Sequence, residues 1–164
     1  MYKVLPMEIQ IKRIRKGTQL YEDCLTMPLC PSDQEELLSL SGVVAPDIVK
    51  SSIDISEEAY AGIVDGTVHM VFGVNTNAPE FTIPWMLSDG WFQKHYPVLL
   101  TAKARYYMHL WLKKYDRPLR NLTTDAGIHW LQVVGFNVLR RFSITHLDGC
   151  LGEGVVFGKD NKEE

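Results

Sequence analysis

The pair of runs Ala59 to Val64 and Thr67 to Val74, joined by Asp65-Gly66, constrains this chain more than any other feature. Asp-Gly supplies the positive φ angles that a two-residue turn demands, so the two runs are predicted to fold back as a β-hairpin. In the second run Val68, Met70, Phe72 and Val74 alternate, which predicts one apolar face that a helix or a second layer must cover. A third strand is predicted over Phe81 to Leu87. Pro84 lacks a ladder donor and is therefore expected at a bulge or at a sheet edge.

Helical patterns surround these strands. Gln93 to Tyr115 is predicted as the longest helix, with Pro97 in its first turn, and with Leu99, Leu100, Tyr106, Tyr107, Leu110 and Trp111 as its core stripe. Leu119 to Thr124 then reads as a short strand, Asp125 to Val134 as a helix closed by Gly135, and Val138 to Thr145 and Gly154 to Gly158 as two closing strands. Ahead of the hairpin, Tyr2 to Met7 is predicted as a strand and Glu8 to Leu25 as a helix weakened by Gly17. Ser32-Asp33-Gln34-Glu35 has capping-box spacing for a helix through Leu40 that Gly42 stops, and Pro46 to Ile53 adds a short helical piece. At 164 residues and 46% hydrophobic, the chain suits one domain, taken as residues 1–158, with a charged, disordered tail over 159–164.

Charge is distributed in blocks. Met1 to Pro31 holds five basic and three acidic residues, Ser32 to Tyr60 one and seven, and Lys94 to Arg120 seven and one. The net charge of -3 lacks the basic footprint of a nucleic-acid binder, so nucleic acid is not an expected partner. Cys24, Cys30 and Cys150 form no CxxC pair and no Cys/His ligand spacing, so neither a disulfide scaffold nor a metal is expected. No stretch has the apolar length of a membrane span and no secretory signal is visible, which predicts a soluble cytoplasmic protein.

Few residues carry a chemical pattern. Asp125 and His129 are one helical turn apart and are catalytic candidates as an Asp-His pair, while an Asp just after a strand also suits helix capping. Cys150 with His146 has the composition of a thiol nucleophile and its base, but no oxyanion donor accompanies it, and an idle or buried cysteine is expected. Trp91 and Phe92 adjoin in a loop, where an exposed aromatic is a candidate for partner binding. Arg105, His109 and Lys113 share a polar helix stripe, either a solvated face or a surface for an acidic partner. Trp111 and Trp130 sit on periodic apolar stripes and are expected in the core.

The order hairpin, strand, helix, strand, helix, paired end strands resembles the GNAT acetyltransferase fold, an α/β (α+β) architecture with a mixed, mainly antiparallel central sheet flanked by helices. Ala59 to Phe72, Trp85-Met86-Leu87, Trp111 to Tyr115 and Trp130-Leu131 to Gly135-Phe136 are similar to the internal virion protein A family of short-tailed phages. The acetyltransferase resemblance implies that acetyl-CoA enters beside the third strand. Its pyrophosphate would be held at the following helix by backbone N–H groups in a Gln/Arg-x-x-Gly-x-Gly/Ala loop. At that place the sequence reads Ser88-Asp89-Gly90-Trp91-Phe92-Gln93-Lys94-His95-Tyr96-Pro97, with one glycine, an acidic residue where an anion would dock, and a proline without a donor. The tyrosine that such enzymes place four residues before the Gly-Phe pair is Leu131, and the earlier asparagine is Thr124.

No cofactor is therefore expected, and Ser88, Asp89 and Gly90 read as a degenerate cofactor loop. The expected function, implied by the resemblance, is a phage protein acting in virion morphogenesis or genome ejection by binding phage structural or host proteins. It would work in the host cytoplasm or in association with the virion. Two alternatives stand beside it: an acyl-CoA-dependent N-acyltransferase with an unconventional loop, and a binder of a host factor or small ligand in the vacated cleft.

Overall fold

The structure is a computed structural model that describes residues 7–161. Among these residues seven strands form two sheets: β1 (Ile9–Arg13), β2 (Glu58–Val64), β3 (Thr67–Asn75) and β4 (Ile83–Ser88) in the order 1-2-3-4, and β5 (Leu119–Thr123), β6 (Asn137–Thr145) and β7 (Leu151–Lys159) in the order 5-7-6. Every strand pair within the sheets is antiparallel. Six helices accompany them: α1 (Gln19–Leu25), α2 (Pro31–Ser41), α3 (Ile48–Asp54), α4 (Trp91–His95), α5 (Pro97–Tyr115) and α6 (Asp125–Val134).

The hairpin forms as its sequence predicts, with Asp65 at φ 47° and Gly66 at φ 83°. Its strands are buried on both faces. Met70, Phe72 and Val74 join a core with Leu100, Met108 and Trp111 of α5, while Val68 and Val71 join a second core with Tyr21, Cys24, Val49 and Ile53 of α1 and α3. The expectation that Val68 shares the Met70 face fails because the register shifts between Gly62 and Ile63. Gly62 faces Met70 and Ile63 faces Val68, which leaves His69 as an inserted residue.

Four other expectations are corrected. Ile9 and Ile11 alternate within a strand where a helix from Glu8 was expected; the helix begins only at Gln19, after the left-handed Gly17, with the Thr18 hydroxyl accepting the Tyr21 N–H. The predicted strand at Tyr2 to Met7 falls, except for Met7, outside the described residues. The Gln93 helix is broken at Tyr96 (φ −140°, ψ 57°), because a residue before proline is pushed out of the helical region. Within α5, Tyr106 and Leu110 face outward while Met108 and Leu112 take core positions. Two residues expected in the tail are held in place, Lys159 by pairing with Leu119 in β7 and Asp160 by receiving Arg120 at 2.6 Å, and residues 162–164 lie outside the described residues. No helix among the described residues is long and apolar enough to cross a membrane.

Candidate functional site

The two sheets touch along β4 and β5. Thr82 N–H donates to Pro118 O and Arg120 N–H to Thr82 O, both at 3.0 Å, and this parallel bridge is the vertex from which the strands part into separate sheets. Pro84 follows the vertex. It sits on the free edge of the first sheet, as expected, and having no N–H it cannot extend the bridge. The β4 backbone groups that face the opening are those of Pro84, Met86 and Ser88, since Asp89 N–H bonds to His69 O and the alternation follows from it.

Most of those groups have partners from the same chain. Asn121 Nδ2 donates to Pro84 O at 2.6 Å. Cys30 N–H donates to Ser88 O at 2.9 Å, and Ser88 N–H donates to Asp33 Oδ2 at 2.8 Å, so the first turn of α2 is docked on the end of β4. Further along α2, Glu36 receives the Thr123 hydroxyl, and the Ser39 hydroxyl reaches Glu153 O at 3.3 Å. Helix α2 thus straddles the opening from β4 to β7. Gly127 and Gly152 allow it: a Cβ on Gly127 would crowd Glu36 Oε1 at 3.1 Å, and one on Gly152 would meet Ser39 O at 2.0 Å.

Burial pushes the Asp33 and Glu36 carboxyls above their usual range, only partly offset by the hydrogen bonds from Ser88 and Thr123. These two carboxyls, one helical turn apart, stand at the opening with Cys30, Ser88, Gln93 and Thr123 around them. In the sequence this segment reads as a capping box. The cap is instead Cys30 with Pro31 at the first helical position, and the Asp33 carboxylate serves β4.

The loop after β4 closes on itself. Asp89 Oδ1 accepts the Trp91 N–H at 2.9 Å, Asp89 Oδ2 lies 2.6 Å from His69 Nδ1, and Ser88 Oγ accepts from Gly90 N–H and Gln93 Nε2. A fixed carboxylate thus takes the leading donor of α4 and Pro97 offers none at the start of α5, so a pyrophosphate there would meet the Asp89 charge and fewer free donors.

Other candidates separate into those used internally and those left exposed. Phe92 is only 2% exposed and belongs to the core, which corrects its assignment as a binding residue, whereas Trp91 is half-buried against His69 and His95. The Arg105 guanidinium donates to Val133 O at 2.8 Å and Val134 O at 3.2 Å, satisfying carbonyls at the end of α6 and not facing a partner. His109 and Lys113 are exposed on α5.

Asp125 and His129 are not brought together as a pair: Asp125 binds Arg141, His129 is exposed, and Thr124 is the cap residue. Cys150 is exposed and not buried, its thiol pushed up by Asp148, while His146 points to Ser39 O at 3.0 Å and not to the sulfur.

The sequence reasoning missed Glu58. It is 3% exposed and accepts from Trp111 Nε1 at 2.8 Å, Tyr60 OH at 3.0 Å, Lys114 and Tyr115. Burial alone would raise this carboxyl, but the four donors outweigh it and hold it at about 2. No local pattern marks such a residue, because its partners lie more than 50 positions away except for Tyr60.

No protein-family model matches the sequence, and no curated protein matches it. Solved structures do. An acetyltransferase of the GNAT family from Bacillus anthracis superposes with a TM-score of 0.65 at 10% identity, covering 94% of this chain and 96% of that one. The ribosomal-protein-S18-alanine N-acetyltransferase from Escherichia coli gives 0.65 at 9% identity, with 96% of each chain covered. A GNAT acetyltransferase from Elizabethkingia anophelis, solved with acetyl-CoA bound, gives 0.58 at 13% identity, covering 93% of this chain and 97% of that one. The chain has the fold of these enzymes; identities this low show the fold alone.

Proposed function

We propose that this GNAT-like chain works by binding other proteins and not by transferring acyl groups, with the part in phage virion morphogenesis or genome ejection that its sequence resemblance implies. One observation carries the first half: the Asp89 carboxylate accepts the Trp91 N–H at the place where a cofactor pyrophosphate needs free donors. The docking of Cys30 and Asp33 on Ser88 supports it, because the strand edge along which a cofactor arm would run is shared with the protein's own helix. The surfaces left for a partner are the outward part of Trp91 and the α5 stripe of His109 and Lys113.

A second reading, acyl transfer with an unconventional loop, is favoured by the carboxyls of Asp33 and Glu36. They stand at the mouth between β4 and β5, shifted toward the pH range where a proton acceptor works. Calorimetric titration of the whole protein with acetyl-CoA separates the two. The expected result is no heat of binding at millimolar cofactor; binding at micromolar strength would overturn the first reading.

A further inference from the structure

We propose that the outer edge of β1 is a self-association surface, through which two copies of the chain pair antiparallel about Gln10 and join their four-stranded sheets into one. Among the described residues β1 pairs only with β2. Asp65 N–H bonds to Glu8 O and Ile14 N–H to Ala59 O, so the alternation turns the backbone N–H and C=O of Ile9, Ile11 and Arg13 away from β2 and toward the free edge. Such a row of unpaired groups is a template for another strand.

The edge is also chemically self-complementary. Read about Gln10, the segment Glu8-Ile9-Gln10-Ile11-Lys12 is a palindrome of residue types. An isologous pair centred there sets Ile9 opposite Ile11 of the second copy, and both are residues whose backbone faces the edge, so each such pair exchanges two hydrogen bonds. The same register sets Glu8 opposite Lys12 of the second copy, twice over, in the closer, non-hydrogen-bonded positions where opposite charges attract. A register shifted by one residue would lose both the backbone bonds and the charge match.

Beside this edge lies an open groove of about 530 Å³ lined by Ile9, Ile11, Leu99, Lys103 and Tyr106 among others. Tyr106 is 58% exposed on its rim. The two-fold axis stands normal to the sheet, so the isoleucines of both copies fall on one face, flanked by both α5 helices. The paired strands would then cover apolar surface that each copy alone leaves half-open. This surface is separate from the β4–β5 opening and does not depend on what that opening binds.

Sedimentation velocity on the full chain, from about micromolar to millimolar protein, tests the proposal. A reversible monomer–dimer equilibrium is expected. Lys12→Glu, which sets like charges across the axis, is expected to weaken the dimer about tenfold or more, and Glu8→Lys combined with Lys12→Glu to restore it. Ile11→Pro removes an edge donor that β2 does not use, and should abolish the dimer while leaving the far-UV circular dichroism of the monomer unchanged. A chain that stays monomeric throughout, a dimer indifferent to Lys12→Glu, or a double swap that fails to restore association would each overturn it.

Discussion

The Trp111 indole N–H donates to the Glu58 carboxylate at 2.8 Å, tying the C-terminal end of α5 to the start of β2. Around this bond the Lys114 ammonium and the hydroxyls of Tyr60 and Tyr115 complete a buried carboxylate whose charge is fully partnered. It is a polar link between the long helix and the first sheet, and it fixes the helix against the strand pair that carries the core.

Glu58→Gln keeps the size of the side chain but removes its charge and turns one acceptor into a donor facing donors. A loss of about 2–4 kcal/mol is expected by chemical denaturation. The folded carboxyl is held at about 2 against an ordinary 4.5, so its contribution is fully present above pH 4.5 and is lost as pH falls toward 2. The wild-type acid-unfolding midpoint should therefore be steeper in that window than that of Glu58→Gln.

Thr82, at the vertex between β4 and β5, is completely buried, and its hydroxyl has no partner among the described residues. Thr82→Val replaces that hydroxyl with a methyl of similar shape. Stability is expected to stay level or to rise by about 1 kcal/mol, read as a shift of the thermal midpoint. A clear loss would mean that the hydroxyl is satisfied by ordered water.

Gly152→Ala is expected to lift α2 from β7, since its Cβ would lie 2.0 Å from Ser39 O. No side chain of α2 is fully buried, so beside the packing of Leu37 on the second core the helix depends on its polar contacts with β4, β5 and β7. The cost should be about 1–3 kcal/mol, with faster hydrogen exchange confined to α2 and to the Ser88 amide. Uniform exchange across the whole chain would contradict a locally docked helix.

Arg105→Ala removes two hydrogen bonds from the carbonyl end of α6 and is expected to cost about 1 kcal/mol, seen as earlier fraying near Val134. His109→Ala and Lys113→Ala, on the exposed part of the same helix, should leave stability unchanged. If the proposed protein binding uses this stripe, those two substitutions alone should weaken it.

Local chemistry fixed the parts of the fold that it could reach. The Asp65-Gly66 turn needs only its own φ angles, Gly42 and Gly135 end their helices from within a single turn, and Pro97 starts α5 because proline lacks the donor that a first turn does not use. The order of elements from the hairpin onward followed from these signals, apart from the break at Tyr96, whereas β1 occupies a segment that reads as helix. What depended on distant partners was not legible. The bulge that inserts His69 is set by pairing with β2, and the role of Asp33 is set by a strand 55 positions away. Arg105 looks like a solvated cation until α6 brings its carbonyls within reach. Glu58 looks like one of seven acids in a charged block until four donors converge on it. A sequence states which groups must be satisfied; only the packed chain decides which partners satisfy them, because desolvation makes the choice and desolvation exists only after the layers close.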